Sequence, residues 1–192
     1  EMCIRDRPLT QPLTQPTHAV VSACASERTH FQSCSAGSAG TYTAADLLRG
    51  AIDQADFKAY IFPLMFFKRI SDVYLEEFGQ ALAESGGDHE FASFAENHRF
   101  SLPEGCMWED VRARTENIGT AMQTAFREIE KANPETLYGI FGNANWTNKD
   151  KLPDRRLSDL LEHFSSKALT NAAVPPDVFG NAYEYLIKRC AD

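Results

Sequence analysis

The 192-residue chain is 43% hydrophobic and 24% charged, an ordinary globular composition with length enough for one real core. Its formal net charge of −8 and pI of about 5.1 argue against a protein that holds nucleic acid through a general basic surplus, because phosphate contacts dominate that kind of affinity. No apolar run approaches the roughly 18 residues that a membrane-spanning helix needs; residues 59–67 reach half of that and are closed by Lys58 and Lys68.

Residues 1–40 contain a Pro, Thr and Gln repeat, PLTQPLTQPTH, followed by a small, polar stretch with neither helical nor strand period. Such a segment buries too little apolar area to offset its ordering entropy, so a disordered tail is expected. No signal-peptide apolar region follows its arginines. Glu1–Arg7, EMCIRDR, back-translates to a string resembling the end of a transposon-type sequencing adapter. An adapter-derived scar is expected there, with an ordinary disordered tail as the alternative, and 1–40 are set aside from fold reasoning.

From Thr41 the pattern is helical. Thr41 or Thr43 can cap a short helix, AADLLRGAI, with Leu47, Leu48 and Ile52 apolar. Asp53 is expected to cap a longer helix, and Asp56 adds negative charge at its start. Phe57, Tyr60, Ile61, Leu64, Phe67, Ile70, Tyr74 and Phe78 then recur at three- and four-residue steps, which predicts a helix to about Ala83. Pro63 should kink it, and apolar groups on all sides between Ile61 and Phe67 predict burial all round. SGGD at 85–88 should stop it.

A short helix is expected in HEFASFAEN, then an extended piece and a turn through 98–111 leading into a helix near Trp108. NIGTAMQTAFREIEKA predicts a helix of about 15 residues with Ile118, Met122, Ala125, Phe126 and Ile129 inward, ended by Pro134. Residues 138–154 read as a loop, and RRLSDLLEHFSSKAL as an amphipathic helix with Leu157, Leu160, Leu161 and Phe164 inward. Asp177 is placed to cap a last helix containing VFGNAYEYLIKRC. The fold class is mainly α, a helical bundle of about six helices over 41–192 behind a disordered N-terminal tail.

Catalytic signatures are missing: there is no GxSxG, no GxxxxGK[ST] and no HExxH. Cys3, Cys24, Cys34, Cys106 and Cys190 form no CxxC pair and no zinc spacing, which suggests reduced thiols in a cytoplasm. The sequon at Asn145 carries no meaning there. His163 reads as a rim residue, and Glu76, Glu77, Asp159 and Glu162 as solvated helix faces. VPPD at 174–177 lacks the polar residue and the aromatic of an amino-methylating loop, and reads as a helix lead-in. Positive charge gathers at Arg49, Lys58, Lys68 and Arg69 and again at Lys149, Lys151, Arg155 and Arg156. These eight are the candidate DNA or partner contacts, with salt-bridging to neighbouring acids as the alternative for the second group. No catalytic or metal-ligating residue is assigned.

Three motifs carry a resemblance. Ala45-Asp46-Leu47-Leu48-Arg49-Gly50 precedes Phe57-Lys58, Pro63-Leu64 and Phe67-Lys68-Arg69-Ile70-Ser71-Asp72. Trp146 and Gly180-Asn181-Ala182-Tyr183-Glu184-Tyr185-Leu186-Ile187 follow. In this order they resemble the N-terminal domain of type I restriction–modification DNA methyltransferase subunits, with Phe57 where the family more often has Tyr. The resemblance covers about Thr41 to Asp192. It implies a full-length adenine-N6 methyltransferase using S-adenosylmethionine. The implied partners are a specificity subunit, a second modification subunit, a restriction subunit and DNA, and the implied location is the cytoplasm. The family's cofactor motif and Asn-Pro-Pro-Phe loop lie beyond the Tyr-Glu-Tyr-Leu segment, so residues 41–192 are expected to assemble and enclose DNA, bind no cofactor and methylate nothing alone. A stand-alone helical interaction module without enzymatic activity is the alternative.

Overall fold

The computed structural model describes residues 44–53 and 56–181, and every regular element in that span is helical. In chain order these are α1 (Ala44–Leu48), α2 (Phe57–Glu84), α3 (His89–Ala92), a 3-10 turn (Ala95–Asn97), α4 (Trp108–Arg112), α5 (Ile118–Ala132) and α6 (Asp154–Ser165). A last helical segment, α7, occupies 176–181. The mainly α bundle expected from periodicity is what the described residues form. The N-terminal tail, the caps at Thr41 and Thr43, the rest of the last helix beyond 181 and Cys3, Cys24, Cys34 and Cys190 lie outside the described residues.

α2 is the spine. Its 28 residues span about 42 Å at 1.5 Å per residue, and it packs against α1, α3, α4 and α6. Burial is continuous over more of it than the apolar run suggested: apart from half-buried Phe62, Phe66 and Asp72, every residue from Tyr60 to Val73 is buried. Leu64, Met65 and Phe67 are essentially inaccessible, each contributing about 1.5–3 kcal/mol of transfer free energy. Pro63 stands at the seventh position, and the helix runs on through it. A proline so near the start removes one backbone bond, from the Ala59 carbonyl, and leaves the following five turns intact.

An aromatic column joins the helices. The Phe67 ring meets Trp108 and Phe126 at 5.3 Å each. Phe126 stacks on Phe141 at 4.3 Å and meets Trp146 edge-on, and Trp146 in turn meets Tyr60 at 5.1 Å. The loop over 138–153 has no regular structure yet is pinned by two buried rings, Phe141 and Trp146. Gly119 lies against it so closely that a Cβ there would fall 1.9 Å from the Trp146 carbonyl oxygen.

Three boundaries differ from the sequence reading. α1 stops at Leu48, because Gly50 takes φ of 81° and turns the chain, leaving Ile52 N–H bonded back to the Leu48 carbonyl. α2 begins at Phe57 directly behind Asp56, not Asp53; the φ and ψ of Asp56, −92° and −8°, are helical and its side chain accepts no capping bond. Asp177 lies inside the first turn of α7, which starts at 176, and is not its cap. The end of α2 is as expected, with Gly86 and Gly87 both at positive φ. HEFASFAEN divides into α3 and the 3-10 turn, and Asp88 caps α3 by accepting from the N–H groups of Glu90 and Phe91.

Candidate functional site

The polar row that interrupts the apolar spine, Lys68 to Glu76, carries a dense set of specific contacts. Ser71 faces α4: its hydroxyl accepts from the Trp108 N–H at 3.0 Å, and the Trp108 ring N–H donates to Ser165 Oγ at 2.7 Å. Lys68 pairs with Asp72 one turn on, its ammonium 5.9 Å from the centre of the Trp108 ring. Arg69 is 7% exposed and points at the segment after α6. Its guanidinium donates to the carbonyls of Leu169 and Val174 and to Asn171 Oδ1, and its central carbon lies over the Phe179 ring, 5.3 Å from the ring centre. Burial pushes the Arg69 pKa down, Glu76 and Asp72 oppose that and Arg99 adds to it; an arginine so placed remains charged.

The same segment is held from its other side. Asp72 accepts from the Leu169 N–H at 2.8 Å, and Glu76 accepts from the N–H groups of Asn171 and Ala172 at 2.6 and 3.0 Å. Arg69, Asp72 and Glu76 stand three and four residues apart, the spacing that places side chains on one helix face. Glu77, on the neighbouring stripe, accepts from the Arg99 N–H at 2.8 Å.

Several sequence expectations change here. Lys68 and Arg69 are withdrawn as DNA or partner contacts, because both are buried and their cationic heads have partners inside the molecule. Glu76 and Glu77 are no solvated face; both are half-buried acceptors for backbone N–H groups. Glu162 is exposed, but it grips Arg112 through two bonds of 2.7 and 2.9 Å. Lys149 bonds Asn117 Oδ1 and Asp154 at 2.8 and 3.2 Å, so the salt-bridging reading holds for it, although its side chain stays 57% exposed. His163 is half-buried on α6 and Asp159 exposed, as the periodicity of that helix implies.

The remaining candidates lie on the surface. Lys58 is exposed in the first turn of α2, and Lys151 and Arg155 are exposed on either side of the α6 start. Arg156 is half-buried and donates to the Arg49 carbonyl at 3.4 Å, which brings the basic ends of α1 and α6 together across more than a hundred residues of sequence. Arg49 and Arg156 belong to separate basic groups in the sequence; the bond between them is tertiary and leaves no sequence signal. Asn133 was missed for the same reason. It is buried at the end of α5, donating to the carbonyls of Ser101 and Ile129 and accepting from the Ser101 N–H.

The described residues form no cradle of the usual kind for S-adenosylmethionine. Its usual cradle is a glycine-bearing turn between a strand and a helix, and among the described residues there is no strand. The VPPD turn is no substitute, since Val174 is buried and its carbonyl is taken by Arg69. Among the described residues no three His, Cys, Asp or Glu side chains are grouped to hold a metal ion. Cys106 is buried and unpaired, and burial first, then Glu128 and Asp110, pushes its thiol pKa up, away from the reactive thiolate. No helix among the described residues is long and apolar enough to cross a membrane.

Comparison with known proteins agrees with this frame. The methylase subunit of the type I restriction enzyme MpnII from Mycoplasma pneumoniae is 23% identical over 181 residues, a match that covers 77% of this chain and 33% of that subunit. The chain thus spans about a third of the length of that relative. The sequence model of the HsdM N-terminal domain matches residues 41–164, which hold α1 to all but the last residue of α6 and the whole polar row of α2. With the helical bundle, the Lys-Arg-Ile-Ser-Asp row of α2 and this match, the chain belongs to the HsdM N-terminal domain family.

Proposed function

We propose that residues 41–192 serve as the assembly and DNA-enclosing domain of the modification subunit of a type I restriction–modification system. The complete subunit, on this reading, transfers a methyl group from S-adenosylmethionine to adenine N6. It does so beside a specificity subunit and a second modification subunit, with a restriction subunit in the full complex. The observation that carries the reading is the family match over 41–164, and the likeness to a type I methylase subunit supports it.

The physical division of labour is consistent. A base-modifying enzyme turns its target out into a pocket beside the cofactor, and the described residues offer packing and surface charge in place of such a pocket. The exposed Lys58, Lys151 and Arg155, with Arg49 and Arg156 at the joined ends of α1 and α6, are the side chains proposed to meet DNA phosphates or a partner's acids. The overall acidity fits a domain that leaves sequence reading to another subunit.

Co-expression of the complete reading frame with its specificity subunit tests the proposal. Labelled methyl transfer from S-adenosylmethionine to adenine in duplex DNA is expected from the complex. A stop codon directly after Asp192, with residues 41–192 folding and acting alone, would replace this reading with the stand-alone interaction module.

A further inference from the structure

Arg69, Asp72 and Glu76 grip backbone. Between them they engage the carbonyls of Leu169 and Val174 and the N–H groups of Leu169, Asn171 and Ala172, with the Asn171 side chain as the single side-chain acceptor. The gripped segment has little else to hold it down. Leu169 and Val174 are its buried apolar side chains, Ala172 and Ala173 are exposed, and its own turn adds bonds from Val174 N–H to the Thr170 carbonyl and from Ala173 N–H to Thr170 Oγ1. Regions with few buried apolar contacts open at lower free energy than the core they lie on.

We propose that residues 169–174 are a strap that opens as a unit apart from the bundle, and that Arg69, Asp72 and Glu76 are the latch that closes it and fixes where the chain enters α7. The latch reads backbone, so it sets the path of the strap with little demand on its side chains. Arg69 is its pivot, because its Nη1 serves the carbonyls at the beginning and the end of the strap while its Nη2 reaches Asn171 between them and its guanidinium carbon lies 5.3 Å from the Phe179 ring of α7. A lysine keeps the charge but has no fork. The inference is independent of the methyltransferase reading, because it concerns only how this chain opens.

Hydrogen exchange on the full 192-residue chain tests it. In Arg69→Lys the amides of Leu169, Asn171 and Ala172 should exchange about tenfold faster or more, the loss of charged hydrogen bonds, while those of α5 and of 64–73 in α2 keep their protection. Glu76→Ala should likewise accelerate Asn171, Ala172 and Leu169 together, although Leu169 N–H bonds Asp72, because the strap opens as a unit. Unchanged strap amides in both variants overturn the latch, and equal acceleration of strap, α2 and α5 overturns the separate opening. The unmodified chain gives an arm that needs no variant. In low denaturant, strap amides should exchange through an opening that denaturant barely affects, whereas α5 amides follow global unfolding. A shared denaturant dependence counts against the proposal.

Discussion

Asp154 accepts the N–H of Ile118 at 3.0 Å and that of Asn117 at 3.1 Å, so the first residue of α6 caps the start of α5 from 36 residues away. α5 has no cap of its own. Asn117 sits at φ of 54°, a left-handed conformation, and its side chain makes no capping bond. The cap therefore depends on the tertiary fold, and Lys149 closes over it.

This predicts a pH-dependent stability. Burial raises the Asp154 pKa, but bonds from the Asn117 N–H, Lys149 and the Ile118 N–H outweigh it and hold the pKa below the usual aspartate value. Unfolded, the group returns to about 3.9. A carboxylate depressed in the fold contributes stability that is full above the unfolded value and lost as pH falls through the folded one. Asp154→Ala should cost about 1 kcal/mol near pH 7 by urea denaturation, and the difference from wild type should close well below about pH 4. A difference that persists at low pH sinks the assignment.

Ser71→Ala should cost about 1–3 kcal/mol, because it leaves the buried Trp108 N–H without its acceptor. Equilibrium denaturation reads it directly. Ser71→Thr keeps the hydroxyl and should recover part of the loss if the pocket admits a methyl group.

Gly119→Ala should be among the most damaging single-methyl changes in the chain. The added Cβ would fall 1.9 Å from the Trp146 oxygen and 2.8 Å from its carbonyl carbon, both of them backbone atoms. Overpacking of this kind costs about 1–3 kcal/mol or more, and a melting temperature lower by several degrees is expected. An unchanged melting curve would show that the 138–153 loop moves aside freely.

Arg112 and Glu162 form a forked but exposed pair, with side chains 37% and 55% accessible. The Arg112 hydrogen bond lowers the Glu162 pKa most, burial opposes it, and the Arg112 charge adds to the lowering. Glu162→Gln should therefore shift the melting temperature slightly, in a salt-sensitive way, and less than the Asp154 variant does.

Lys151→Glu and Arg155→Glu test the proposed nucleic-acid role. Both side chains are exposed, so stability should hold. DNA affinity of the assembled complex should fall, and the slope of affinity against salt should fall by about one for each phosphate contact removed. Unchanged affinity and slope would assign these charges to solvent. Lys68 and Arg69 make the contrast, since changing them should act on folding first.

The parts of this fold that were legible in the sequence are those set by local period. The α2 spine and the inward faces of α5 and α6 follow from apolar spacing, and Ile118, Met122, Phe126, Leu157 and Leu161 are buried as that spacing requires. Capping at a distance left no such trace: Asp154 looks like a first-turn acid of its own helix. The charged row in α2 misled for a related reason. Lysine and arginine beside an apolar run suggest a surface, and only the return of residues 169–174 onto α2 shows that Arg69 and Glu76 face protein.

The chain has two tryptophans, and both are buried, at 1% and 2% exposure. They sit at opposite stations of the aromatic column. Trp146 faces Tyr60 near the start of α2, and Trp108 lies beneath Lys68 and reaches Ser165 just ahead of the strap. The molecule thus carries two intrinsic fluorophores, one for each end of its core. Replacing either with phenylalanine leaves a single reporter, so that emission can follow the α4 end and the loop end of the bundle separately without any attached dye.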